Sequence, residues 1–243
     1  MADETHSGVL DALAAALEQD ERIGVHQYPI NARIEDEALV LEGTLGDIAA
    51  KRIAGRIAHH VAGAVPIIDR LRISATDAGD DGALRDEVIN MFTKEPAFSE
   101  YTVRIARNSG FETVHQADDD ENRVIEACIE DSSVTLEGRV GSLTHRRLAE
   151  VLIWWTAGCE IVRNHLKVVP AEEENDGELS DAIRIVLEKD PFVHADQLSI
   201  DTRDSRVTLN GYVASSEEKH LALMDIWYIP GVHEVVDRVE ARS

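Results

Sequence analysis

The sequence predicts an α+β protein built from three tandem units of helix, strand, strand, helix and strand (αββαβ). Two observations carry this. The first is an internal triplication. The stretch Val207-Thr208-Leu209-Asn210-Gly211-Tyr212-Val213 recurs as Val134-Thr135-Leu136-Glu137-Gly138-Arg139-Val140 and, more loosely, over residues 39–45. Twenty residues after Gly43, Gly138 and Gly211 stand Gly63, Gly158 and Gly231; six further on come Asp69, Asn164 and Asp237. Self-similarity at fixed spacing sets the architecture before any local reading does. The second observation is the hydrophobic period, which is helical between the two glycines and alternating on either side of them.

In the first unit, Val9, Leu10, Leu13 and Leu17 give residues 9–18 an amphipathic helical stripe, preceded by a polar, frayed N-terminus. Two short strands follow, near residues 31–34 and 39–45, with the acidic Glu35-Asp36-Glu37 as their hairpin turn. Asp47 stands where a helix N-cap is needed, and Ile48, Ile53, Ile57 and Val61 supply the next helix's buried side. Gly63 ends that helix by adopting a left-handed conformation. Residues 67–73 alternate and read as the last strand. This sets a first domain at 9–74.

Residues 74–82 are a polar, glycine-bearing linker. The second domain, 83–169, opens with a helix at 83–93 followed by Pro96. From Pro96 to Gly138 is 42 residues, against 20 from Pro191 to Gly211, so this unit carries a 22-residue insertion, placed around 108–123. Its polar part, residues 108–122, is expected to be a mobile surface loop. Residues 101–106 and 124–129 both have strand character, and either could be the unit's first strand. A second linker covers 171–177. The third domain, 179–242, is the most compact: helix 179–188, strands 197–201 and 206–213, helix 216–228 and strand 232–241. Ser215 and Glu218 form a capping box at its second helix.

The V-T-L-x-G-x-V pattern, followed by a helix, a glycine and a strand ending D-R-V or N-H-L, resembles the BON domain, a small module of bacterial periplasmic, transport-associated and stress proteins. The resemblance covers nearly the whole chain and rests on structural rather than catalytic positions. It implies two helices on one face of a small three-stranded mixed sheet in each unit. It also implies phospholipid-surface binding or an interaction role; one member of the family is linked to potassium sensing. The long insertion departs from the family pattern.

Composition bounds the function. The net charge is −23, from 47 acidic against 24 basic residues, and that field repels nucleic acid and anionic membranes at long range. Lysine is scarce beside arginine, as in proteins working in high salt, although a GC-rich genome has the same effect. No apolar run is long enough to cross a membrane, and the N-terminus has no secretory pattern, so the expected location is cytoplasmic, peripheral to a membrane at most. Cys128 and Cys159 form neither a disulfide framework nor a metal-ligand spacing. The adjacent His59 and His60 point about 100° apart on a helix and cannot share an ion. No catalytic set, metal or cofactor is expected. The repeated glycines read as structural, marking a bulge or close packing against a helix, and Asp69, Asn164 and Asp237 as turn-fixing.

One constellation remains. Eight and nine residues after each repeat glycine comes a basic pair: Lys51-Arg52, Arg146-Arg147, Lys219-His220. Sixteen and seventeen after it come His59-His60, Trp154-Trp155 and Trp227-Tyr228. Helical geometry then puts Arg52, Arg56 and His59 on one outer face, Arg147, Val151 and Trp154 on another, and His220 with Trp227 on a third. Two readings stay open: a lipid or anion face, or packing of repeat against repeat. The leading expectation is a non-enzymatic protein that binds a phospholipid surface or a protein partner through these faces, compatible with a homo-oligomer. The runner-up is a cytoplasmic ion sensor of the potassium type.

Overall fold

A computed structural model of the chain describes residues 2–74, 80–117 and 122–242. The chain divides into two compact units, Met1–Ser74 and Ala75–Ser243. The first holds one αββαβ repeat and the second holds two.

In the first unit, helix α1 (Ala2–Gln19) is followed by strands β1 (Asn31–Glu35) and β2 (Ala38–Leu45), helix α2 (Ile48–Ala62) and strand β3 (Ile67–Ile73). Strand β2 is central, antiparallel to β1 and parallel to β3. Leu39, Leu41 and Leu45 are buried from β2, with Leu13 and Leu17 from α1. Helix α1 extends further towards the N-terminus than its apolar stripe indicates. The buried side of α2 also differs from expectation. Ile48 and Ile53 are buried together with Ala50, Ala54, Ala58 and Ala62, whereas Ile57 and Val61 are only half-buried. Small alanines let α2 approach the sheet closely, and the bulkier residues lie at the edge of the contact.

The second unit begins with helix α3 (Asp81–Lys94), capped by the side chain of Asp80; residues 75–79 of the expected linker lie outside the described residues. Strands β4 (Thr102–Arg107) and β5 (Gly110–His115) come next, then β6 (Val124–Glu130), β7 (Ser133–Val140), helix α4 (Leu143–Trp154) and a last strand in two pieces, β8 (Ile161–Asn164) and β9 (Lys167–Val168). The third repeat adds α5 (Asp176–Lys189), β10 (Leu198–Arg203), β11 (Arg206–Val213), α6 (Ser216–Tyr228) and β12 (Glu234–Ala241). Its sheet order, β10-β11-β12, reproduces that of the first repeat.

The insertion is a correction to the sequence reading. Residues 110–115, expected in a mobile loop, form β5, a strand pairing antiparallel with β4 at the edge of a larger sheet ordered β5-β4-β6-β7-β8. The choice between two first strands is settled in favour of β6, which pairs antiparallel with β7 as β1 does with β2. Strand β4 lies parallel to β6 and extends the sheet. The acidic run at 118–121 lies outside the described residues. The other acidic run is not simply solvated: Glu172 accepts from the backbone N–H of Leu143 at the start of α4, at 2.8 Å.

Each repeat's hairpin turn has two residues of positive φ, Asp36-Glu37, Asp131-Ser132 and Asp204-Ser205. This is the two-residue turn whose twist matches a hairpin's strands. In the second unit the turn is also clamped by the preceding helix. Asp81 accepts from the amides of Asp131 and Ser132, and Asp176 from those of Asp204 and Ser205, at 2.8–3.0 Å.

The repeat glycines admit the chain that enters the sheet, not a neighbouring helix. A Cβ on Gly138 would stand 2.1 Å from the carbonyl oxygen of Val124, and one on Gly211 2.1 Å from that of Gln197. Both have φ above +110°. Asp69, Asn164 and Asp237 accept from the amides of Leu71, Leu166 and Val239. Only Asn164 does so at a break in the chain, whereas Asp69 and Asp237 lie inside β3 and β12, where no turn stands. In the first and third repeats Lys51 and Lys219 bind those aspartates at 2.8 and 2.7 Å and also donate to the carbonyls of Leu71 and Val239. In the second repeat Arg146 and Asn164 replace Lys and Asp, and the asparagine amide donates to the Arg146 carbonyl instead.

Candidate functional site

The eight residues expected on outer helical faces are not equivalent. In the first repeat Arg52 and Arg56 are half-buried and His59 is exposed. His220 of the third repeat is exposed. The other four are inside: Arg147 is 4% exposed, Val151 0%, Trp154 5% and Trp227 6%. For these four the outward orientation is corrected, because α4 packs against α5 and α6 and so has a second buried side. Arg147 lies in that seam, donating from Nε to the Pro230 carbonyl at 2.8 Å and pairing with Glu178. Trp154 meets Tyr228 at 6.3 Å between ring centroids, and Lys189 pairs with Glu95 at 2.7 Å. Helix α4 therefore does not offer that face to a ligand, and on α6 His220 alone of its pair reaches solvent.

A buried acid sits in the same seam. Asp225 of α6 is 3% exposed, and its carboxyl is pushed up to about 8 by burial and by the neighbouring carboxylate of Asp190; a hydrogen bond from the Trp155 indole opposes the shift. An unfolded aspartate releases its proton near pH 3.9. Between about pH 4 and pH 8 the folded chain thus keeps a proton that the unfolded chain gives up. Stability from this group falls as pH rises through that window and levels off above it. Asp225→Asn is expected to remove that slope and to raise the denaturation midpoint at pH 8. Midpoints at pH 5, 6, 7 and 8 check it, and an unchanged slope in the variant would refute it.

Burial favours the protonated thiol at both cysteines. Cys159 is buried, which pushes its thiol up to about 12, and burial also raises Cys128. Among the described residues no group of His, Cys, Asp or Glu is placed to hold a metal ion, and no helix is long and apolar enough to cross a membrane.

The surface that collects basic residues is the outer face of each sheet, away from the helices. Strand alternation places it: in β11, Val207, Leu209 and Val213 are buried, so Arg206, Thr208, Asn210 and Tyr212 lie on the opposite face. In the first repeat this face carries Arg33, Arg70 and Arg72 against Glu35 and Glu42. Glu42 takes Arg33 at 2.6 Å and Arg70 at 2.9 Å, and these two partners pull its carboxyl down to about 2. In the second repeat Arg104, Arg139, Arg163 and Lys167 stand against Glu126, Glu130 and Glu137. In the third, Arg203, Arg206 and Arg238 face Asp201, Glu234 and Glu240, and Arg242 lies over the exposed ring of Tyr212 at 5.4 Å.

Every outer sheet face thus has more basic than acidic side chains, in a chain with about twice as many acids as bases. Sequence reasoning missed this set. The signal was present in the alternate positions of the strands, where Arg70 and Arg238 fall across from the x of the motif in the first and third repeats.

The family model of the BON domain matches residues 8–75, 104–170 and 175–243. Its second match starts inside β4 and leaves α3 outside. No curated protein matches the chain in sequence. Among solved structures, the chain is similar to the C-terminal domain of CdsD, the structural protein of the type III secretion system of Chlamydia trachomatis. The identity is 13% over 92% of this chain and 96% of that chain, with a TM-score of 0.25. A second structure of CdsD has 14% identity over 93% of this chain and 90% of that chain, with a TM-score of 0.24.

Proposed function

Since the chain belongs to the BON-domain family, we propose that it is a non-catalytic binding protein that associates with an anionic phospholipid surface through the outer faces of its sheets. The observation that supports this reading is the inverted charge of those faces. A protein of net charge −23 is repelled by an anionic membrane at a distance. At physiological ionic strength that repulsion is screened beyond about 8 Å. Binding then depends on the face that makes contact, and arginine is the side chain best suited to bind phosphate.

Arg52, Arg56 and His59 on α2 form a second, competing surface. Co-sedimentation at 0.15 M salt separates the two. The full chain is expected to pellet with phosphatidylglycerol vesicles and not with phosphatidylcholine vesicles. Arg70→Glu combined with Arg238→Glu should weaken pelleting at least tenfold, and Arg56→Glu combined with His59→Glu should leave it within twofold. Equal binding to both lipids would overturn the membrane reading. Loss of binding in the α2 variant alone would move the contact from the sheets to the helix.

A further inference from the structure

The three sheets differ at one position in a way that opens a site in the third. The residue before the repeat glycine lies at the centre of each outer face: Glu42, Glu137 and Asn210. In the first repeat that glutamate is an internal counter-ion, with its carboxylate bridging Arg33 and Arg70. Arg238 of the third repeat stands where Arg70 does, directly across from Asn210 in the β11–β12 register. Here the central carboxylate has become an amide. Arg238 consequently has no ion-pair or hydrogen-bond partner among the described residues. Arg203 and Arg206 lie opposite each other across β10 and β11, at the end of the same shallow hollow of about 380 Å³, with Thr208 and Asn210 between them and Arg238.

We infer that this hollow binds a phosphate group, which takes the place that the internal carboxylate fills in the first repeat. One feature favours phosphate over a carboxylate. Glu42, with two oxygens, satisfies two arginines, whereas the third repeat brings together three arginines, a hydroxyl and an amide, a donor set for a group with three or four oxygens. Guanidinium forks match carboxylate and phosphate alike, so the preference rests on the number of oxygens the donor set can satisfy. The hollow does contain one carboxylate, Asp201, paired with Arg203 at 3.3 Å, and Glu234 pairs with Arg206 at 3.3 Å on its rim. Both are exposed ion pairs, which contribute little and exchange partners readily.

The source of the phosphate rests on the membrane reading: a phospholipid headgroup supplies it there, and a soluble phosphate ester has the same chemistry. Because the first two repeats already carry glutamate at this position, Asn210→Glu is compatible with the fold and fills the hollow with an internal carboxylate. The experiment follows backbone amide shifts of the full chain during titration with inorganic phosphate at constant ionic strength, with acetate as the carboxylate control. Vesicle co-sedimentation runs in parallel. Saturable shifts confined to β10, β11 and β12, at least tenfold weaker in Asn210→Glu, are expected. Glu42→Asn should gain a response in the first repeat.

An equal phosphate response in Asn210→Glu would overturn the site, as would acetate binding as well as phosphate, which would mark a site for acidic peptides. Phosphate binding without vesicle binding would uphold the site and remove the membrane as its source. Vesicle binding with no phosphate response would overturn the site and leave the membrane reading standing.

Discussion

Gly211→Ala is expected to destabilise the unit spanning residues 75–243 by about 3 kcal/mol or more. A non-glycine residue held in such a region of φ costs of the order of 1–3 kcal/mol by itself. The steric term comes on top, because the new methyl would stand 2.1 Å from the main-chain carbonyl oxygen of Gln197. A carbonyl at the entrance to β10 cannot swing aside as the tip of a flexible side chain can. Relief requires β10 to move away from β11, and the register that runs from Leu198 opposite Gly211 to Arg203 opposite Arg206 moves with it. Chemical denaturation of the variant measures the loss. A cost below about 1 kcal/mol would mean that the strands separate freely there and that the recurrence of the glycine has another cause. Gly63→Ala is the useful contrast: its Cβ would meet nothing within 4 Å, so only the positive φ opposes the substitution.

Truncating a seam tryptophan is expected to cost a similar amount by a different route. Trp154→Ala or Trp227→Ala removes a large buried ring, a change that costs about 3–5 kcal/mol in well-packed cores. For Trp154 the void would open between α4 and α6, where the ring meets Tyr228, so the second and third repeats should loosen from each other. His59→Ala, at the corresponding place on α2 and exposed, should fall within about 0.5 kcal/mol of wild type. A loss well under 1 kcal/mol for both tryptophans would mean that they face water, and would restore them as a contact surface.

The triplicated spacing made the order of elements legible because it is backbone geometry repeated. Gly63 leaves α2 with positive φ, Gly138 and Gly211 admit a passing carbonyl, and Asp69 and Asp237 take the amide two residues on. None of these depends on what lies outside the repeat. The orientation of α4 does. A rotation of 100° per residue divides a helix into a core side and a water side only when it has one neighbour. Helix α4 is buried continuously from Arg147 to Trp154, as expected of a helix enclosed on several sides. The apolar run Val151-Leu152-Ile153-Trp154, broader than a single stripe, was the available sign. Strand β5 escaped notice because Gly110-Phe111-Glu112-Thr113 is exposed throughout and has no buried alternation to read. The charge of the outer sheet faces was not legible because it comes from residues of different strands, such as Arg70 across from Glu42 and Arg238 across from Asn210, that only the register brings together.

The seam through Arg147, Trp154 and Tyr228 also determines what a stability measurement on this chain means. The three repeats are alike in fold but are not three independent cooperative elements. Residues 1–74 form one compact body, and the two later repeats share a buried interface within the other. Two-state bookkeeping holds for a single cooperative body, so the second and third repeats, which share one body, are expected to unfold with one midpoint and not two. A ligand in the hollow beside Asn210 acts by mass action on the body that contains it. It therefore stabilises the second repeat, which it never touches, through the seam.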